Sequence, residues 1–190
     1  MKVELEKDSI AMIYINSNPD GKRAIRKELG EQFSEILPVT KRIKSFEEAK
    51  AELGVAHESV KMYDDLYWKF KSSSDLLAFI KLRVIIAALN EEWTLDASEE
   101  TQFWYPTFRH FSPDELETPG AKEIREDMHM MTDHSGKPHG FIYAGTINLS
   151  TSAITATTAS LTFKSKELAE YAGKQFLKIY ADYSNFFTQE

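Results

Sequence analysis

The sequence predicts an α+β fold: N-terminal helices, a central buried helix, a small antiparallel sheet of about three strands, and a C-terminal amphipathic helix. Three observations lead there. Residues Leu76 to Leu89 are apolar around nearly the whole circumference, interrupted only by Lys81 and Arg83, and a helix apolar on all sides is buried on several. Phe141, Tyr143, Ile147 and Leu149, and later Ala159, Leu161 and Phe163, alternate with smaller or polar residues, the period of half-buried strands. Leu168, Ala172, Phe176, Ile179, Tyr183 and Phe187 form one helical stripe, with Tyr171 and Tyr180 beside it. Helices first, then strands, then a helix fit α+β rather than a parallel α/β order.

The elements follow in order. Val3, Leu5, Ile10, Met12, Ile13 and Ile15 suit a short strand or arm. Asn18 or Asp20 caps a helix carrying Ala24, Ile25, Leu29 and Phe33, and Pro38 ends that unit. Ser45 and Glu48 stand at capping-box spacing ahead of Phe46, Ala49 and Leu53, and Gly54 occupies the C-cap. Val60, Tyr63, Tyr67 and Phe70 mark a further helix, which Ser72 to Ser74 break. The central helix ends at Asn90, Glu91 and Glu92. "TQFWYPTFRHF" reads as a strand, with Pro106 demanding an edge or a bulge. Ser112-Pro113-Asp114-Glu115 starts a short helix. Residues 117–139 lack a period and read as a long loop with one turn near Ile124 to Met128. The alternating residues after Gly140 predict a hairpin turning at Ser150-Thr151-Ser152, with a bulge between Ile154 and Ala159. Ser165 caps the last helix, inside which Gly173 permits close packing. Residues 1–40 are expected to form an N-terminal arm and helix, and 41–190 a single α+β domain.

Composition narrows the functions available. The chain has 190 residues, 42% of them hydrophobic, with 23 Lys and Arg against 30 Asp and Glu and a net charge of −7. That balance opposes non-specific duplex binding, which needs a basic footprint. The absence of cysteine removes disulfides, thiol catalysis and thiolate metal sites. No stretch approaches the roughly 20 apolar residues that span a bilayer, and no apolar run of signal-peptide length opens the chain. The expectation is a cytoplasmic or virion-associated protein without a membrane partner.

Four segments in order, "KRIKSFEEAKAELG", "LLAFIKLRVIIAALNEEW", "FWYPTF" and "LTFKSKELAEYAGKQFLKIYADY", resemble a family of hypothetical proteins encoded by Bacteroidetes genomes, their phages and other mobile elements. The resemblance covers most of residues 41–187. That family tends to have Tyr-Tyr-Pro-Trp-Phe where this chain reads Trp104-Tyr105-Pro106-Thr107-Phe108, and the His- and Met-bearing stretch 128–139 is peculiar to this chain. The resemblance implies a shared fold and a mobile-element source. It carries no catalytic residue across.

Candidate chemistry is sparse. His129, His134 and His139 recur every five residues among Met128, Met130, Met131 and Asp133. Imidazole and thioether together suit a soft metal, but the step fits neither one helix face nor alternate strand positions, and it matches no zinc spacing. Glu91, Glu92, Asp96, Glu99 and Glu100 lie beside Trp93 and Trp104; carboxylates flanked by indoles suit sugar cleavage only where two face each other across the substrate. "HSGKPHG" is not a nucleophile elbow, and no phosphate-binding glycine loop occurs. The segment from Trp93 to Phe111 is crowded with rings, most of them assigned to the core, with Trp93, Trp104, Tyr105 and Phe108 as the residues that would form an interaction surface. Arg23, Arg26, Lys41, Arg42 and Lys44, with Lys22 and Lys27, are the one concentration of positive charge and the candidates for phosphate contact.

Two functional expectations result. One is a non-enzymatic interaction or structural protein of phage or mobile-element origin, docking to a protein partner or to its own copies through the arm and the aromatic surface. The alternative is a small nucleic-acid-binding regulator using the basic N-terminal helices. No cofactor or small-molecule ligand is expected, and an enzyme is the least favoured class.

Overall fold

A computed structural model describes residues 6–91, 93–96, 100–133, 135–151 and 161–184. It is α+β, as expected. Seven helices come first: α1 (Lys7–Asn16), α2 (Pro19–Leu29), α3 (Glu31–Ile36), α4 (Val39–Arg42), α5 (Phe46–Leu53), α6 (Glu58–Phe70) and α7 (Ser74–Leu89). Then come β1 (Gln102–Phe111), α8 (Pro113–Leu116), α9 (Pro119–Glu123), a 3-10 turn (Arg125–Asp127), β2 (His129–Thr132) and β3 (Pro138–Ser150). Helices α10 (Lys166–Gln175) and α11 (Leu177–Ser184) follow.

Local signals place most boundaries. Asn18 caps α2, its side chain accepting from the Gly21 amide at 2.8 Å. Ser45 caps α5, and the Glu48 carboxylate reaches back to the Lys44 amide, one residue beyond the usual box. Gly54 ends α5 with φ +79°, and a Cβ there would lie 2.8 Å from the Pro19 ring; conformation and close approach both demand glycine. Ser112 and Glu115 complete a full capping box with Pro113 in the first turn.

The centre of α7 is buried through Ala78, Ile80, Leu82, Val84, Ile85, Ile86, Ala88 and Leu89, while Leu76 at its start is exposed. Helices α5, α6 and α11 pack around it. The sheet meets mainly α10, with α11 beside it, and α11 in turn packs on α7. Phe141, Leu161, Phe163, Leu168, Phe176 and Tyr180 join the α7 residues in one hydrophobic cluster. The last helix is interrupted: Phe176 (φ −110°, ψ 27°) divides α10 from α11 and keeps its ring buried. Phe187, the end of the expected stripe, lies outside the described residues.

The sheet is antiparallel in the order β1–β3–β2. Pro106 sits on the edge strand opposite Thr146, and a bulge follows, because Thr107 pairs with Gly145 and Phe108 with Tyr143, leaving Ala144 extra. Gly173 of α10 packs here; a Cβ on it would lie 2.6 Å from the Tyr143 ring and 2.8 Å from Pro106.

Three expectations need correction. Residues 7–16 form a helix rather than a strand or arm. The stretch 117–139 is no long loop, for it holds α9, the 3-10 turn and β2. Strand β3 does not form a hairpin with residues 161–163, the described part of the expected second strand: β1 and β2 occupy its two edges, and Phe163 instead exchanges backbone hydrogen bonds with Trp104 on the far side of β1. The bulge expected between Ile154 and Ala159 lies outside the described residues.

Candidate functional site

The densest polar cluster lies beneath the N-terminal helices. Its centre is Glu52 of α5, only 5% exposed. Tyr14 of α1 donates its hydroxyl to Glu52. Arg26 of α2 donates to Glu52 at 2.7 Å, Arg42 of α4 donates to the same oxygen, and Lys22 stands 3.5 Å from the other. Arg42 also reaches Glu91 just past α7, and Lys164 closes the chain with a 3.0 Å bond to Glu91. Glu91 adopts φ +53°, an unfavourable backbone region for a side-chain-bearing residue, and so stands between two cations.

The electrostatics follow from that geometry. Burial and the bond to the Glu52 carboxylate push the Tyr14 phenol up to about 12. Burial would raise the Glu91 carboxyl, but the hydrogen bonds and charges of Lys164 and Arg42 hold it below the usual carboxylate range. Rings seal the cluster: Tyr14 and Phe33 lie 4.6 Å apart, and the Arg42 guanidinium lies over both. The arrangement offers no reacting geometry. It ties α1, α2, α4 and α5 to the end of α7.

Anchoring α1 through Tyr14 leaves its other side outward. Met12 is 61% exposed, Ile13 49% and Ile15 58%. Beside them Ile10, Ile13, Ile25 and Leu29 line an apolar groove of about 210 Å³ between α1 and α2. The run from Ile10 to Ile15 in α1 is apolar in every helical direction but packed on one, which is the composition of a helix meant to be covered. Among the described residues Glu28 is the one charged residue lining this groove, and α1 carries one exposed charge of each sign, Lys7 and Asp8.

The residues singled out from the sequence are dispersed. Trp104 and Phe108 pack against the main core as half-buried rings; Phe108 stacks on Phe141 at 4.9 Å and meets Tyr180 at 4.7 Å. Tyr105 is half-buried on β1, and Trp93 is half-buried at the wall of a cavity. Arg26 and Arg42 turn inward to Glu52, whereas Arg23 pairs with Asp20, and Lys41 and Lys44 are exposed. Of the acids, Glu91 is held by Arg42 and Lys164, Asp96 and Glu100 are exposed, and Glu92 and Glu99 lie outside the described residues.

The histidines separate too. His129 sits on β2 opposite Phe141, and burial lowers its pKa. His139 on β3 meets the Asp133 carboxylate at 3.2 Å and stacks on His110 at 5.1 Å. Asp133 organises the β2–β3 turn, accepting from the amides of Ser135 and Lys137, which keeps its carboxyl well below the ordinary range. His134 lies outside the described residues. Among the described residues no group of three or more His, Asp or Glu side chains could hold a metal, and no helix is long and apolar enough to cross a membrane.

Sequence reasoning put Met12, Ile13 and Ile15 in a strand or docking arm and missed that they form the outward face of a helix. It also passed over Trp68, 71% exposed on α6 with Lys71 over its ring. The signal was present there: Trp68 falls outside the helical stripe of Val60, Tyr63, Tyr67 and Phe70. No family model matches the chain, and neither a curated protein nor a solved structure matches it.

Proposed function

We propose that the chain is a non-enzymatic interaction or structural protein of phage or mobile-element origin, and that it docks through α1 to a second copy of itself. The origin rests on the four-segment resemblance. The docking rests on one observation: Met12, Ile13 and Ile15 are exposed on a helix whose Tyr14 is fixed to a buried carboxylate. The anchoring holds the apolar face in place rather than letting it fold inward. A second copy is the occupant because α1 carries one exposed charge of each sign, Lys7 and Asp8, and a two-fold pairing can set each against its opposite on the other copy. Like copies of a −7 chain repel over most of their surface, but not where Lys7 and Asp8 cancel.

Magnitude sets the expected strength. A ten-residue helix is about 15 Å long, and with α2 it offers a few hundred square ångströms, less than the roughly 800 Å² per partner of a stable interface. The dimer is therefore concentration-dependent. Sedimentation velocity from low-micromolar to sub-millimolar chain should show a rising mean mass, and Met12→Asp with Ile15→Asp should keep the chain monomeric with an unchanged circular dichroism spectrum. A wild-type chain that stays monomeric throughout, or a variant that self-associates equally well, would refute this docking.

The nucleic-acid alternative is less well supported. Its guanidiniums Arg26 and Arg42 are committed to Glu52, which leaves Lys27, Lys41, Lys44 and the Asp20-paired Arg23 as the outward cations of the set.

A further inference from the structure

A cavity of about 520 Å³ opens beside the C-terminal half of α7. That volume lies within the ordinary range of small-ligand sites. Arg83, Ile86 and Asn90 of α7 and its C-cap form one wall, His57 and Ser59 at the start of α6 another, and Trp93 a third.

Arg83 is the informative residue. Helix α7 carries only two cationic side chains, and the other, Lys81, lies 5.7 Å over the Phe46 ring. Arg83 is half-buried, and among the described residues no carboxylate, carbonyl or ring pairs with it. A half-buried guanidinium that lines a cavity without a protein counter-charge keeps its planar fork of donors available to an oxyanion entering there. Its neighbours point the same way. The His57 Nδ1 accepts from the Ser59 amide at 3.2 Å, so the proton of the neutral ring sits on Nε2 and makes that edge a donor. Helix α6 is thirteen residues long and begins at this wall, which adds the positive end of its dipole. Asn90 is held at both ends of its amide, donating to the Thr162 carbonyl and accepting from the Lys164 amide, and this braces the cavity wall. Ile86, Ala87, Leu95 and the Trp93 indole supply apolar and flat surface.

We infer that this cavity binds a small organic oxyanion, a carboxylate or phosphate monoester carried on a flat or apolar body. Arg83 takes the charged end, His57 donates a second hydrogen bond, and Trp93 covers the body. Glu58, exposed at the mouth, disfavours highly charged polyanions and so selects for a compact ligand. The inference does not depend on α1 docking, since the two surfaces share no residue.

Titration calorimetry of the full chain with phenyl phosphate and with benzoate, and benzamide as the uncharged control, tests it. Saturable binding of at least one anion is expected, with benzamide at least about tenfold weaker, as loss of a charge-assisted contact implies. Binding to phenyl phosphate alone assigns a phosphate ligand, and to benzoate alone a carboxylate. Arg83→Gln should weaken binding by about tenfold or more while retaining the wild-type circular dichroism, and Arg83→Lys should fall between. Trp93→Phe should abolish the ligand-induced change in tryptophan fluorescence. No saturable binding by either anion, benzamide binding as tightly as the anions, or unchanged affinity in Arg83→Gln would each overturn the inference. Should Arg83→Gln fail to fold, the fluorescence response of Trp93→Phe decides in its place.

Discussion

At the scale of single residues, Glu52 is where most of the chain's buried charge is resolved. Four groups from three helices converge on its carboxylate. Such a cluster adds little net stability when complete, yet removing one member leaves the others desolvated and unpaired. Glu52→Gln should therefore cost about 3 kcal/mol, the lower end for a broken buried pair, since Lys22 and Arg26 retain some water. Urea unfolding measures it; a loss below about 0.5 kcal/mol, typical of surface substitutions, would show that the cluster is incidental. Tyr180 makes the opposite case. Its hydroxyl is buried beside Phe108 with no hydrogen-bond partner among the described residues, and burial drives its pKa far above the ordinary phenol. Removing an unsatisfied buried hydroxyl relieves a desolvation penalty. Tyr180→Phe should raise stability by about 1 kcal/mol, and a destabilised variant would mean that the hydroxyl has a partner in solution.

At the scale of elements, local chemistry and tertiary contact divide the outcome. The starts of α2, α5, α8 and α10 were readable because a cap needs only residues three apart, and Asn18, Ser45, Ser112 and Ser165 all accept from their expected amides. The contact that demands Gly173 was readable as close packing, though not its partners. Alanine there would favour the helix by up to about 1 kcal/mol, but its Cβ would press on the Tyr143 ring and on Pro106, which sits in a strand and yields little. Gly173→Ala should therefore destabilise by roughly 1–3 kcal/mol, the usual cost of overpacking. A more stable variant by thermal unfolding would show that α10 can shift away from the sheet. Strand β2 was not readable: four residues, His-Met-Met-Thr, carry no usable period, and their order comes from pairing with β3 across the Asp133 turn.

At the scale of the whole molecule, α7 is the hub for α5, α6 and α11, while α10 and α11 carry the sheet. This layering explains why the aromatic residues of β1 are mostly occupied. Trp104 and Phe108 are drawn against the core, and the uncovered apolar surface moves to α1. It also places Arg83 at the rim of the hub, where a cavity can form without breaking the core.

The sequence alone determined the α+β class, the buried central helix, the capped helix starts and the positions reserved for glycine, because each depends on neighbours a few residues away. Only the tertiary structure decided that residues 7–16 are helical, that Arg26 and Arg42 face inward, and that Arg83 faces a cavity. Those outcomes depend on where one carboxylate, Glu52, and one helix start, at His57, come to lie relative to side chains distant in the chain, and no local pattern encodes such distances.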